Sequence, residues 1–375
     1  MNILICPDSF KGALNAISVS EAIKTGIVKT NKKHQIKCLP LADGGEGTLD
    51  ILIENEKGSF ITTTVKDPLS RAIEAAYGII GETAVIEMAR TAGLDLLKPE
   101  ERNPMLTTTY GLGQFINHAL DQGIRKFIIA IGGSATNDCG IGALSALGVK
   151  FLDKNGHLIE NNGRGLADLE DINIEAIDKR ILQSKVQVLC DVNNPLYGKN
   201  GAAFVYAKQK GANEEMIEIL DQNLRHFSKI LKKTFNKDIS EIPGAGAAGG
   251  LGAGLMIFLK GELVSGFSII STILNLEKHI KTADLIITGE GKIDSQSING
   301  KVAVEVSKIA KKYNKSVIGI VGTYEGNLSI FHDLGMTAIF SIIHEPIRLI
   351  KALEKKQTKK SLISLSEEVI RLYDI

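Results

Sequence analysis

Phe127-Ile128-Ile129-Ala130-Ile131-Gly132-Gly133-Ser134-Ala135-Thr136-Asn137-Asp138-Cys139-Gly140, continuing through residues 141–147, is the stretch on which the reading of the chain turns. Its first five residues form a short apolar run rich in isoleucine, which predicts a buried strand. Residues 141–147 are small and apolar and predict a helix. Between them, Gly132 and Gly133 let backbone approach a ligand with no Cβ in the way. Ser134, Thr136, Asn137 and Asp138 add hydroxyls, an amide and a carboxylate, and Asp138 can also cap the helix behind it. Phosphate or carboxylate is the natural guest of such a loop. An ordinary strand-to-helix turn is the competing reading. The unbroken run of small and polar residues favours a binding loop.

The same order recurs on both sides. An apolar strand at residues 2–6 ends in Pro7-Asp8-Ser9-Phe10-Lys11-Gly12, and a helix follows with Val19, Ala22, Ile23, Gly26 and Ile27 on one face. A strand at 35–41 runs into Ala42-Asp43-Gly44-Gly45-Glu46-Gly47-Thr48. Strands at 186–190 and 283–288 end in Asp191-Val192-Asn193-Asn194 and Gly289-Glu290-Gly291-Lys292-Ile293-Asp294. Further strands are expected at 317–321 and 336–342. Strand, polar loop and helix in alternation predict an α/β protein built on a doubly wound parallel sheet. Ligands then sit at the carboxyl ends of the strands, where these loops fall. From Ser59 the rhythm changes to short strands with turn signals, which suggests an antiparallel stretch and a move into a second domain. The simplest organisation is a first domain of residues 1–80 plus 275–375, with a second α/β domain, 81–274, inserted, and the loops gathered in a cleft. Gly244, Gly246 and Gly249 match a GxGxxG pattern, but the polar segment before them is not the strand a dinucleotide fingerprint requires.

Composition narrows the class. With 375 residues, 44% apolar, and a net charge of +1, the chain has ample core and no electrostatic case for nucleic acid or a membrane surface. Cys6, Cys38, Cys139 and Cys190 are scattered, without CxxC spacing, as expected of buried thiols in a reducing compartment. The first strand begins immediately and has no basic leader before it. A cytoplasmic location without a membrane span is therefore expected.

No HExxH, no GxSxG and no histidine beside a nucleophile is present, so zinc and triad hydrolysis lack a basis. Glycine loops with carboxylates and isolated lysines suit phosphoryl transfer. That reaction uses Mg²⁺ on oxygen ligands, donors on phosphate oxygens and a carboxylate for the acceptor's proton. There is no Walker A sequence and no protein-kinase catalytic loop. Gly132, Gly133, Ser134 and Thr136, with Gly289 and Gly291, are the expected nucleotide-phosphate cradle. Lys11 is the candidate for substrate carboxylate or transferring phosphate, with Ser9, Arg71 and Lys292 as further substrate contacts. Asp43, Glu46, Asp191 and Asp294 compete for Mg²⁺ ligand and general base: Asp43, Glu46 and Asp191 are the metal candidates, and Asp191 is preferred as base. Each of these carboxylates also has a structural alternative as a turn or cap.

Taken in order, the motifs resemble the two-domain bacterial glycerate kinase family. They are Pro-Asp-Ser-Phe-Lys-Gly (7–12), Ala-Asp-Gly-Gly-Glu-Gly-Thr (42–48), Ile-Gly-Gly-Ser-Ala-Thr-Asn-Asp (131–138), Cys-Asp-Val-Asn-Asn-Pro-Leu (190–196), Gln-Lys-Gly-Ala (209–212), the glycine run 244–252 and Thr-Gly-Glu-Gly-Lys-Ile-Asp (288–294). The resemblance implies ATP-dependent phosphorylation of D-glycerate, usually on the 2-hydroxyl. It also implies a flavodoxin-like (Rossmann-like) domain with an inserted domain similar to restriction enzymes. Self-association is compatible with it. Lys208, where the family often has proline, and Lys292, where it often has arginine, are departures. The second loses a bidentate fork. Phosphorylation at the 3-hydroxyl, a kinase of another small hydroxy acid, and a sensor of an anionic metabolite remain the alternatives.

Overall fold

The computed structural model describes residues 1–30, 33–298 and 300–373. The chain divides into two compact units. One comprises Met1–Asp43, Asp50–Glu56 and Phe267–Ile375, the other Gly44–Leu49 and Lys57–Gly266.

The first unit is built on a five-stranded sheet. Its strands are β1 (Asn2–Ile5), β2 (Gln35–Cys38), β3 (Leu285–Thr288), β4 (Ser316–Val321) and β5 (Ala338–Ser341). The order is β5-β4-β3-β1-β2, and every pairing is parallel. Parallel sheets carry helices on their faces, so their inner strands are apolar throughout. Thus β3, Leu-Ile-Ile-Thr, is buried at every position. On one face Ile3, Ile5, Leu285, Ile287, Ile318 and Ile320 pack with Val19, Ile23 and Ile27 of helix α1 (Ala16–Thr30) and Leu362, Val369 and Ile370 of the closing helix α3 (Lys355–Arg371). Gly26 lies on the buried side of α1 because a Cβ there would stand 2.3 Å from the Ile363 carbonyl oxygen. A second cluster joins Ala303 and Val304 of helix α2 (Val302–Lys312) to Val321, Phe331 and Met336.

The second unit carries a six-stranded mixed sheet in the order Glu262–Val264, Lys185–Leu189, Lys126–Ala130, Thr83–Glu87, Ala72–Ile80, Ser59–Lys66. The first four strands pair in parallel and the last three antiparallel. The antiparallel stretch expected from Ser59 is present, but it belongs to this sheet. The division therefore falls at residues 57 and 266, where 80/81 and 274/275 were expected: a strand's unit is fixed by what it pairs with, and Ser59–Lys66 pairs with Ala72–Ile80, which pairs in turn with Thr83–Glu87.

In the glycine run, Ala248, Gly249 and Gly250 adopt left-handed backbone at the head of Ala247–Phe258, and helix resumes after them. This tight turn brings the run against residues 136–139. A Cβ on Gly249 would meet the Thr136 carbonyl oxygen at 2.1 Å, and one on Gly250 the Cys139 sulfur at 2.6 Å. It serves backbone packing, in keeping with a turn that opens a helix.

Candidate functional site

In the second unit the strand Lys126–Ala130 ends, as expected, in the loop Ile131–Gly140. Backbone bonds from Leu94 to the Gly133 carbonyl, 2.9 Å, and from Ala135 to the Ala92 carbonyl, 2.8 Å, pin it to its neighbour. Gly133 has φ +75°, and a Cβ on Gly132 would stand 2.9 Å from the Gly45 Cα. Asp138 is fully buried. It accepts from the backbone N–H and hydroxyl of Thr109, each at 2.8 Å, and from Gly140 and Gly142 at 3.0 and 3.4 Å. Burial raises its pKa against these bonds. Asp138 is the loop's internal anchor. The buried Thr136 Oγ1 and both polar atoms of the Asn137 side chain have no partner among the described residues.

Behind the loop lies a residue that sequence reasoning passed over. Lys210 is 2% exposed, and its Nζ donates to Ser134 Oγ at 2.8 Å and to the Thr136 carbonyl at 2.7 Å. Burial pushes its pKa down to about 7, although the Asp138 charge opposes the shift. On the neighbouring strand end, Glu87 accepts from Leu49 N–H and from Arg90 Nε, both at 2.9 Å. Asp191 accepts from the Gly266 N–H at 3.1 Å, and Glu46 is exposed. Arg71 is engaged by Asp67 and Glu101, each at 2.6 Å.

In the first unit the carboxyl ends of β1, β2 and β3 bring together Asp8, Asp43 and Glu290. Asp8 N–H donates to the Gly289 carbonyl and Leu41 N–H to the Pro7 carbonyl, at 2.8 and 2.9 Å, which ties the three loops at the backbone. Burial, then Asp43, raises the Asp8 carboxyl to about 6, against the Ser9 N–H bond, Lys301 and Lys11. Glu290, 4% exposed and with Oε1 unpartnered among the described residues, is raised to about 8 by burial and by Asp8, Asp43 and Asp294, with Lys301 opposing. Lys301 lies 3.4 Å from Asp43; burial works against its charge, but the surrounding carboxylates raise its pKa. Ser9 is half-buried and Lys11 exposed beside them. Lys292 pairs with Asp294 at 3.2 Å and Glu325 at 2.7 Å. Gly289 is where β4 passes: a Cβ would overlap the Ile320 carbonyl oxygen at 1.8 Å, whereas Gly291 leaves ordinary room beside Lys11.

Of Asp43, Glu46 and Asp191, the expected metal set, Asp43 belongs to the first unit and Glu46 and Asp191 to the second. Among the described residues no group of three or more His, Cys, Asp or Glu is placed to hold a metal ion. Asp43 is drawn to Lys301, and Asp191 to Gly266. The donors around Glu290 are all oxygen and one is unpaired, which fits Mg²⁺, an ion that takes one or two carboxylates and completes its shell with water and phosphate.

A glycine-rich loop on one parallel strand and buried carboxylates at the ends of others suit an enzyme of the phosphotransferase kind. The family model described as "Glycerate kinase family" matches residues 3–374, and the chain belongs to that family. It is 47% identical to glycerate 2-kinase of Escherichia coli K12 over 92% of this chain and 91% of that one. It is 46% identical to a glycerate kinase of Bacillus cereus over 94% and 93%. A crystal structure from Salmonella typhimurium LT2, assigned to a glycerate kinase 2, superposes with a TM-score of 0.86 at 42% identity, covering 100% of this chain and 98% of that one. No described helix is long and apolar enough to cross a membrane.

Proposed function

We propose that the protein transfers the γ-phosphoryl group of ATP to the 2-hydroxyl of D-glycerate, giving 2-phosphoglycerate and ADP. The observation that carries this reading is the near full-length kinship with E. coli glycerate 2-kinase. The loop Gly132–Thr136 supports it as a cradle for the donor's phosphates. The strand order β2-β1-β3-β4-β5 supports reading the sheet as flavodoxin-like and doubly wound. Its switch point lies between β1 and β3, where Asp8 and Glu290 sit, so we take this end of the sheet as the acceptor side. Mg²⁺, when bound there by Asp43 or Glu290 and the phosphates, would neutralise charge developing on the transferring group.

In the transfer the 2-oxygen forms a bond to phosphorus, the bond from phosphorus to the ADP oxygen breaks, and the hydroxyl proton passes to a carboxylate. Asp191 is our candidate for that base. Lys11 is the cation best placed for the glycerate carboxylate, because Arg71 and Lys292 each already face two carboxylates. We place the enzyme in the cytosol, in keeping with its free thiols. The test is direct. Purified protein with ATP, Mg²⁺ and D-glycerate should release ADP, and phosphorus NMR should show 2-phosphoglycerate. No glycerate-dependent ADP would sink the reading, and a 3-phosphoglycerate signal would overturn the regiochemistry.

A further inference from the structure

We infer that Lys210 is the positioning residue of the glycine-rich loop: held behind Ser134, its ammonium makes that hydroxyl a dedicated donor to a phosphoryl oxygen of a nucleoside triphosphate. The inference rests on the reading that this loop takes the donor's phosphates.

An ammonium has three donors and no acceptor. In the 2.8 Å contact with Lys210 Nζ, Ser134 Oγ must therefore accept, and its own proton must point elsewhere. No described residue accepts that proton, and Ser134 is itself 8% exposed, at the rim of the loop. The second Lys210 bond, to the Thr136 carbonyl at 2.7 Å, fixes the turn on the far side of Ala135. Thr136 Oγ1 and the Asn137 amide lie buried and unpartnered in the same turn, so the loop is left with polar atoms that the fold does not satisfy.

The charge account points the same way. Burying a lysine is unfavourable unless something compensates. Asp138 is the charged group that acts on Lys210, and its oxygens are already committed to Thr109, Gly140 and Gly142. Lys210 forms no ion pair of its own among the described residues. Burial lowers the Lys210 pKa to about 7, so an arriving polyphosphate, supplying the missing counter-charge, holds the side chain in the ammonium form in which Ser134 Oγ must accept. Anion binding is then linked to proton uptake and weakens as pH rises past 7. Arginine would be always charged, and methionine never, at the same place.

The experiment titrates the full chain calorimetrically with inorganic tripolyphosphate, and separately with ATP, from pH 6 to pH 9 without glycerate. Comparing variants at each pH cancels the ligand's own ionisation. Lys210→Met should bind both about 10- to 100-fold more weakly at pH 6.5, with a flatter pH profile than the wild type. Its KM for ATP should rise while KM for glycerate holds. Lys210→Arg should recover affinity and lose the extra pH dependence. Ser134→Ala should reproduce the Lys210→Met loss, and the double variant should be no worse than either single change, since the lysine acts through the serine. Wild-type affinity in Lys210→Met, or losses that add in full, would overturn the inference. Should Lys210→Met fail to fold, Ser134→Ala decides: wild-type affinity for both ligands there overturns it. A wild-type protein that binds neither ligand removes the reading of the loop, and the inference with it.

Discussion

Gly249→Ala is a perturbation whose size follows from the structure. Gly249 holds φ +70°, and an added Cβ would stand 2.1 Å from the Thr136 carbonyl oxygen and 2.5 Å from the Asn137 Cα. Left-handed backbone costs an L-residue about 1–2 kcal/mol. The overlap is with backbone, which cannot swing aside like a side chain, and relieving it by roughly 1 Å adds about 1–3 kcal/mol, as in overpacked cores. The sum is about 2–5 kcal/mol. Gly81→Ala is the control: φ is +55° with nothing within 4 Å, so only the backbone strain of about 1–2 kcal/mol remains. Urea unfolding followed by far-ultraviolet circular dichroism compares the midpoints, provided the slopes agree. The Thr136 carbonyl is also the second acceptor of Lys210, so folded Gly249→Ala should in addition raise KM for ATP. If Gly249→Ala is no more destabilising than Gly81→Ala, the packing of the glycine run against the loop is wrong.

Further outcomes follow from the first unit. Glu290 binds its proton more tightly folded, at about 8, than unfolded, so its penalty on stability builds as pH climbs from about 4.5 to 8. Glu290→Gln should match the wild type in melting temperature near pH 4.5 and exceed it increasingly up to pH 8; an advantage independent of pH would refute this. Lys11→Ala should lower kcat/KM about 100-fold, the loss of one charge-assisted contact, with the melting temperature barely moved because the lysine is exposed. Near-normal kinetics would return Lys11 to the solvent.

The strands and their terminal loops were legible because each is a local pattern, such as Leu-Ile-Ile-Thr followed by glycine and carboxylate at 285–291. The unit boundary was legible only in part: the change of rhythm at Ser59 pointed to it, but residues 59–80 alternate like any antiparallel pair and only the partner at Thr83–Glu87 decides ownership. Lys210 was quoted within the motif 209–212 but given no role, for a similar reason. A lysine reads as solvated, and its burial depends on Ser134, 76 residues away. Asp8 and Glu290 were quoted within motifs but passed over for Asp43 and Asp294, which are more exposed, because depth below the loops is set by the sheet and not by neighbouring letters. Gly289 was legible as a special position, though its glycine is required by the Ile320 carbonyl and so by packing.

The order of pairing in the first unit bears on how the chain is made. β1 is synthesised well before β3, yet β3 is one of its two neighbours, and the bond from Thr288 Oγ1 to the Cys6 carbonyl spans 282 residues. At roughly 5–20 residues per second, a ribosome needs about 15–60 s to deliver that partner. Meanwhile all of the other sheet, from residue 59 to residue 264, has emerged. The amino-terminal strand pair must therefore wait, apolar and half-paired, while the inserted unit completes itself. A nascent chain halted once residue 270 has left the ribosome should hold a finished inserted unit and a protease-sensitive strand pair before it, the segment for which chaperones would have most use.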